Sequence, residues 1–175
     1  MTRPYIIAMA GLPGSGKSAL ASRLAAAIPA VIINKDTVRS AIFPPQEIEY
    51  SSAQDDFVFS LIYQAAAYLL RKGRTVILDG RPFILRNQRV ELIKAAREAD
   101  AELRIIYCIA PDEVVKARLE LDVAAGSHPA TDRDFNLYLR KKAQVEPIEE
   151  PHLELDTNAS LDELTGQALM WLNIS

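Results

Sequence analysis

The run Gly11-Leu12-Pro13-Gly14-Ser15-Gly16-Lys17-Ser18 fills the pattern G-x-x-x-x-G-K-[ST] at every required position, and few octapeptides restrict a fold so tightly. Its glycines let the backbone turn sharply and aim successive N–H groups at one point, a geometry that suits the oxygens of an anion. The pattern needs a strand before it and a helix after it. Tyr5-Ile6-Ile7-Ala8-Met9-Ala10 is a short apolar run of strand length, and Ser18 to Ile28 is alanine-rich, reads as helix and ends at Pro29.

The rest of the chain repeats that alternation. Further strand candidates are Ala30 to Ile33, Thr75 to Leu78, Leu103 to Ile109 and His152 to Leu155. Between them lie helical stretches: Thr37 to Phe43, stopped by Pro44-Pro45; Ser52 to Lys72, closed by Gly73; Leu85 to Ala99; one opened by Pro111; Phe135 to Gln144; and Leu161 to Leu172. In the long helix, Phe57, Leu61, Ala65 and Tyr68 form the stripe assigned to the core, and Met170 and Trp171 are assigned to core packing as well. The order predicts an α/β P-loop NTPase fold: about five parallel strands, helices on both faces and a small lid. A chain of 175 residues suits one domain, expected over 1–175. Apolar period is lost from Val123 to Asp134, which reads as a mobile loop within a lid at about residues 118–140.

Composition excludes several classes. With 49% hydrophobic and 25% charged residues the chain is neither disordered nor a membrane span, since no apolar run approaches the roughly 20 residues a bilayer requires. Tyr5 to Ala10 is too short for a signal peptide, so no membrane partner is expected and the cytoplasm is the expected location. A net charge of −3 argues against a nucleic-acid-coating surface. The single cysteine, Cys108, lies in an apolar strand and reads as a core residue; it can form no intrachain disulfide. His128 is assigned to the exposed lid, and His152 has no partner cluster for a metal.

The motif implies ATP and Mg²⁺. Gly11, Pro13, Gly14, Ser15, Gly16, Lys17, Ser18 and Ala19 would line the phosphates, with Lys17 on the β- and γ-phosphates and the Ser18 hydroxyl on the metal. The second strand delivers Asp36 to the carboxyl edge of the sheet, where ligands bind in such folds. Arg39, three residues on, would share its helical face. A carboxylate can orient an acceptor hydroxyl and take its proton, and an arginine can hold a charge that the acceptor carries. The competing reading makes Asp36 a helix cap. Asn34-Lys35-Asp36 lacks the spacing of the guanine-specifying N-K-x-D.

Asp79 ends the third strand, where it could hold a water of the Mg²⁺ shell or orient Arg39 or Arg81 through a salt bridge. At least one of Arg81, Arg86 and Arg89 is expected to face the acceptor. Arg118 and Arg133 bracket the lid and could neutralise charge on the transferring phosphoryl group, while Arg140, Lys141 and Lys142 read as a solvated face.

Gly11 to Ser18, Asn34-Lys35-Asp36 with Arg39, and Leu78-Asp79 before a basic helix together resemble the P-loop kinases grouped around polynucleotide 5′-hydroxyl kinase, the AAA_33-like ATP-binding kinases. Zeta toxins and chloramphenicol phosphotransferase are more distant relatives. The resemblance covers roughly residues 5 to 120. It implies that Asp36 is the general base, that Arg39 grips an acceptor phosphate, and that Thr157 and Asn158 border the adenine. Gly80-Arg81-Pro82 replaces an asparagine-bearing segment of that kinase, and Asp122 stands near its lid arginine, so the acceptor and the acting lid arginine stay open.

These readings converge on an ATP-dependent phosphotransferase with an alcohol group as acceptor. A small molecule is favoured over a nucleic-acid end, because only Arg81 to Arg97 could form the basic row that a polyanion needs. The alternative is an ATP-binding regulatory switch without a phosphoryl acceptor.

Overall fold

The computed structural model describes residues 3–126 and 134–173. Its centre is a five-stranded parallel sheet built from β1 (Tyr5–Ala10), β2 (Ala30–Asn34), β3 (Thr75–Asp79), β4 (Glu102–Ile109) and β5 (His152–Asp156), in the order β2-β3-β1-β4-β5. The expected strands are all present, within a residue or so at their ends.

Successive side chains of a strand point to opposite faces, and β1 shows what this does when both faces are covered. Ile6, Ala8 and Ala10 join Val76, Leu78 and Ile105 beneath α3 (Ser52–Arg71) and α4 (Arg86–Glu98). Ile7 and Met9 join Ile77, Ile106 and Cys108 on the opposite face, against α1 (Lys17–Ala27) and α7 (Leu161–Leu172). Burial on both sides is why β1 reads as a continuous apolar run. A third cluster ties α5 (Asp112–Ala125) and α6 (Phe135–Lys142) to the loop after β1 through Leu12, Ile84, Val115, Leu119 and Tyr138.

Several expectations shift. The buried face of α3 is Val58, Phe59, Ile62, Ala66 and Leu70, so the Phe57–Tyr68 stripe is one residue out of phase; Phe57 and Tyr68 are exposed. Apolar residues surround this helix, and Phe57 instead meets Phe43 at a centroid distance of 5.9 Å. Met170 is exposed while Trp171 packs against the core. Val123 to Ala125 are helical, ended by Gly126 in the left-handed region, because two alanines extend α5 before the glycine stops it. Among the described residues no helix is long and apolar enough to cross a membrane.

Candidate functional site

The carboxyl ends of β1, β2 and β3 meet at one edge of the sheet. Gly11 leaves β1 with φ +134, and a Cβ there would lie 2.3 Å from the Cys108 carbonyl oxygen, so only glycine can make this turn. Gly16, at φ +80, precedes α1 and rests on Thr157; a Cβ would stand 3.2 Å from that side chain. No side chain caps the start of α1, which leaves its first amides for an anion. The buried Lys17 folds across its own loop, its Nζ donating to the Leu12 carbonyl at 2.7 Å and to Ser15 Oγ at 3.4 Å.

Asp79 is the hub of the neighbouring strands. Its Oδ2 accepts from Ser18 Oγ at 2.8 Å and from Asn34 Nδ2 at 2.9 Å. Its Oδ1 is buried and has no hydrogen-bond partner among the described residues. Asn34 Oδ1 in turn accepts from the amides of Asp36 and Thr37, at 2.9 and 3.1 Å, and caps α2 (Lys35–Ile42). The helix therefore starts two residues before Thr37, and the cap is Asn34, which overturns the capping reading of Asp36. The reading in which Asp79 orients Arg39 or Arg81 is overturned too, since those arginines pair with other carboxylates.

Two of those carboxylates come from α3. Ser51 caps that helix by accepting from the Gln54 amide, and its first turns carry Asp55 and Asp56. Arg39 is buried, bonded to Asp36 at 2.8 Å and to Asp55, with its guanidinium 5.1 Å from the centre of the Tyr50 ring. Lys35 Nζ donates to Asp55 at 3.0 Å. Burial lowers the Lys35 ammonium to about 8, with Asp36 opposing and the charges of Arg39, Arg81 and Lys141 adding to the drop. Arg81 pairs with Asp56 and with Glu91 at 3.0 Å, beneath the Phe59 ring.

Arg39 and Arg81 are both buried and find within the protein the counter-charges that a buried guanidinium requires. Arg89 is also buried, donating to the Phe83 and Pro147 carbonyls and pairing with Glu150, whereas Arg86 is exposed. Sequence reasoning missed Lys35, Asp55 and Asp56. The available signal was a serine followed by paired acids at the start of a long helix.

Two clefts flank the glycine loop. The larger, about 990 Å³, is lined by Lys17, Ser18, Asp36, Asp55, Asp79 and Arg81 among others. Lys141 also lines it, which corrects its assignment to a solvated face; Lys142 instead pairs with Asp112. The smaller, about 470 Å³, runs from Gly14 to Ala19 past Arg118, Asp122 and Thr157. Arg118 donates to Thr157 Oγ1 at 2.9 Å, to the Thr157 carbonyl at 2.7 Å and to the Gly14 carbonyl at 3.3 Å. Lys17 and Ser18 line both clefts. Arg133 and His128 lie outside the described residues. Among the described residues no group of three His, Cys, Asp or Glu could hold a metal, and burial pushes the Cys108 thiol up to about 11, as suits a core residue.

Residues 6–144 match a family model, AAA_33, described as an AAA domain. No curated protein sequence matches the chain. Among solved structures, a sugar kinase from Janibacter sp. HTCC2649 is 20% identical, with a TM-score of 0.74 over 99% of this chain and 96% of that one. A gluconokinase from Sinorhizobium meliloti 1021 is 19% identical, with a TM-score of 0.71 over 99% and 94%. The Mycobacterium tuberculosis APS kinase CysC, in complex with AMPPNP and APS, is 21% identical, with a TM-score of 0.73 over 99% of each chain. These likenesses bear out the P-loop NTPase fold.

Proposed function

The chain belongs to the AAA_33 family of AAA domains, and from that premise we propose an ATP-dependent kinase that transfers the γ-phosphoryl group to an alcohol of a small molecule. One observation carries this reading: Lys17 and Ser18 border both clefts, so the clefts adjoin at the glycine loop, with Thr157 on one side and Asp36 on the other. ATP lies along them with the base beside Thr157 and Arg118, the phosphates on Gly11 to Ala19, and the γ end towards Asp36.

The donors near Ser18 fit Mg²⁺, a hard cation that takes oxygen ligands. Ser18 offers a hydroxyl, and Asp79 a carboxylate whose Oδ1 is buried and unpartnered among the described residues. Ser18 and Asp79 would hold Mg²⁺, which would supply charge neutralisation to the phosphates. Lys17 leaves the Leu12 carbonyl and moves its charge onto the same phosphates. Asp36, held by Arg39 at 2.8 Å, orients the acceptor hydroxyl and takes its proton. As the new oxygen–phosphorus bond forms, the bond from the γ-phosphorus to ADP breaks, and ADP leaves.

Arg118 serves the nucleotide side, where its contacts with Thr157 and Gly14 hold it. Residues 1–175 act as one cytoplasmic kinase domain whose lid, at about residues 118–140, excludes water from the transfer. The kinases of sugars, gluconate and APS that share the fold support a small acceptor over a polynucleotide 5′-hydroxyl.

The test is MgATP binding followed by ADP release across a panel of hydroxyl compounds. ATP should bind at roughly millimolar concentration or tighter, and at least one acceptor should accelerate ADP release. Binding without stimulation by any acceptor favours the regulatory switch, and no association with MgATP at all defeats both readings.

A further inference from the structure

Each buried cation on the acceptor side of the larger cleft is covered by a carboxylate more exposed than itself. The Arg39 side chain is 2% exposed, whereas its partners Asp36 and Asp55 are 21% and 27% exposed. Arg81 is 3% exposed behind Asp56 at 56%. Lys35 follows the same order behind Asp55. Asp36, Asp55 and Asp56 all line the cleft, which also holds the buried Asp79 Oδ1, unpartnered among the described residues.

An incoming molecule therefore meets Asp36, Asp55 and Asp56 beside Lys35 and Arg81, the carboxylates being the more exposed member of each pair. An anionic acceptor would have to separate a guanidinium from carboxylates that neutralise it in a buried setting. A hydroxyl or an ammonium group has only to donate to the outer lone pairs of those same oxygens. We propose that the acceptor is a non-anionic polyhydroxyl compound, an uncharged polyol or its amino-bearing counterpart, selected by Asp55 and Asp56. This rests on the kinase reading above and narrows it. The buried pairs position the two carboxylates, and Asp36 remains the group that meets the reacting hydroxyl.

The test keeps the phosphate loop saturated with ADP and Mg²⁺ and measures binding calorimetrically. Inositol, glucose, glucosamine and adenosine are compared with glucuronate, glucose 6-phosphate and 3′-AMP. At least one uncharged or amino-bearing compound should bind at least about tenfold more tightly than its anionic counterpart, and Asp55→Asn should cut that ratio by about tenfold. Asp56→Asn, at a more exposed position, decides the matter if Asp55→Asn does not fold. Equal or tighter binding of the anionic compounds overturns the proposal. So does binding by none of the uncharged and amino-bearing compounds, or a ratio that neither aspartate variant moves. Failure of ADP itself to bind would instead strike the kinase reading and remove the inference with it.

Discussion

Ser18 Oγ donates to Asp79 Oδ2 across 2.8 Å, joining the start of the first helix to the end of the third strand, 61 residues away. The contact brings together the two residues that would hold Mg²⁺ in the proposed reaction. Asp79→Asn keeps the shape but exchanges an acceptor oxygen for an amide. The Mg²⁺ concentration for half-maximal turnover should rise about 10–100-fold, the usual effect of disturbing a metal's supporting contacts. Ser18→Ala and the double variant should combine non-additively in a magnesium titration, whereas simple addition would separate the two residues.

Lys17→Ala removes the charge assigned to the β- and γ-phosphates. Turnover should fall by at least about 10²–10³, the cost of losing one aligned electrostatic contact in a transition state. The fold should survive, because the bonds that Lys17 gives up to Leu12 and Ser15 lie within its own loop. Near-normal turnover in a folded variant would remove the phosphate site from this loop.

Asp36→Asn should leave ATP affinity within a few-fold of the parent and lower kcat by about 10²–10⁴, the range for a general base. Single-turnover measurements separate the two effects. A collapse of ATP binding with unchanged transfer would give Asp36 a different job.

Lys35 offers a test through stability. Burial holds its ammonium at about 8 in the folded chain, below the ordinary value of 10.5. Between those values the unfolded chain keeps a proton that the folded chain has released, so this group makes stability rise with pH from about 8 to 10.5. Below 8 both states are protonated and the burial penalty is fully present. Urea unfolding across that range should show a rise in the parent that Lys35→Met lacks. Parallel curves would mean that Lys35 titrates normally.

Two glycines should respond in opposite directions to alanine. At Gly11, with φ +134 and the Cys108 carbonyl 2.3 Å from a Cβ, the change should cost more than about 2 kcal/mol and abolish ATP binding. At Gly166, inside α7 with nothing within 4 Å, it should stabilise by about 0.5–1 kcal/mol. Thermal unfolding of both variants checks the contrast.

The local chemistry of the chain determined much of this protein before any contact was known. The glycine loop needs only its own dihedral freedom, so Gly11 to Ser18 announced both the turn and the strand and helix around it. Strand runs such as Ile6 to Ala10 are apolar because both faces are covered, and that property is visible without knowing what covers them. Asp79 was legible because it ends a strand and Asp36 because it follows one within two residues, and strand ends in a parallel sheet share one edge.

The partners of the arginines were decided only in three dimensions. Arg39 meets Asp55 from 16 residues away, and Arg81 meets Asp56 from 25. Those pairings depend on the rotation of α3 about its axis, which its apolar residues leave ambiguous. A helix advances by about 100° per residue, so placing Val58 inward in place of Phe57 redirects every side chain on it. That rotation brings Asp55 and Asp56 against the buried cations and into the lining of the larger cleft.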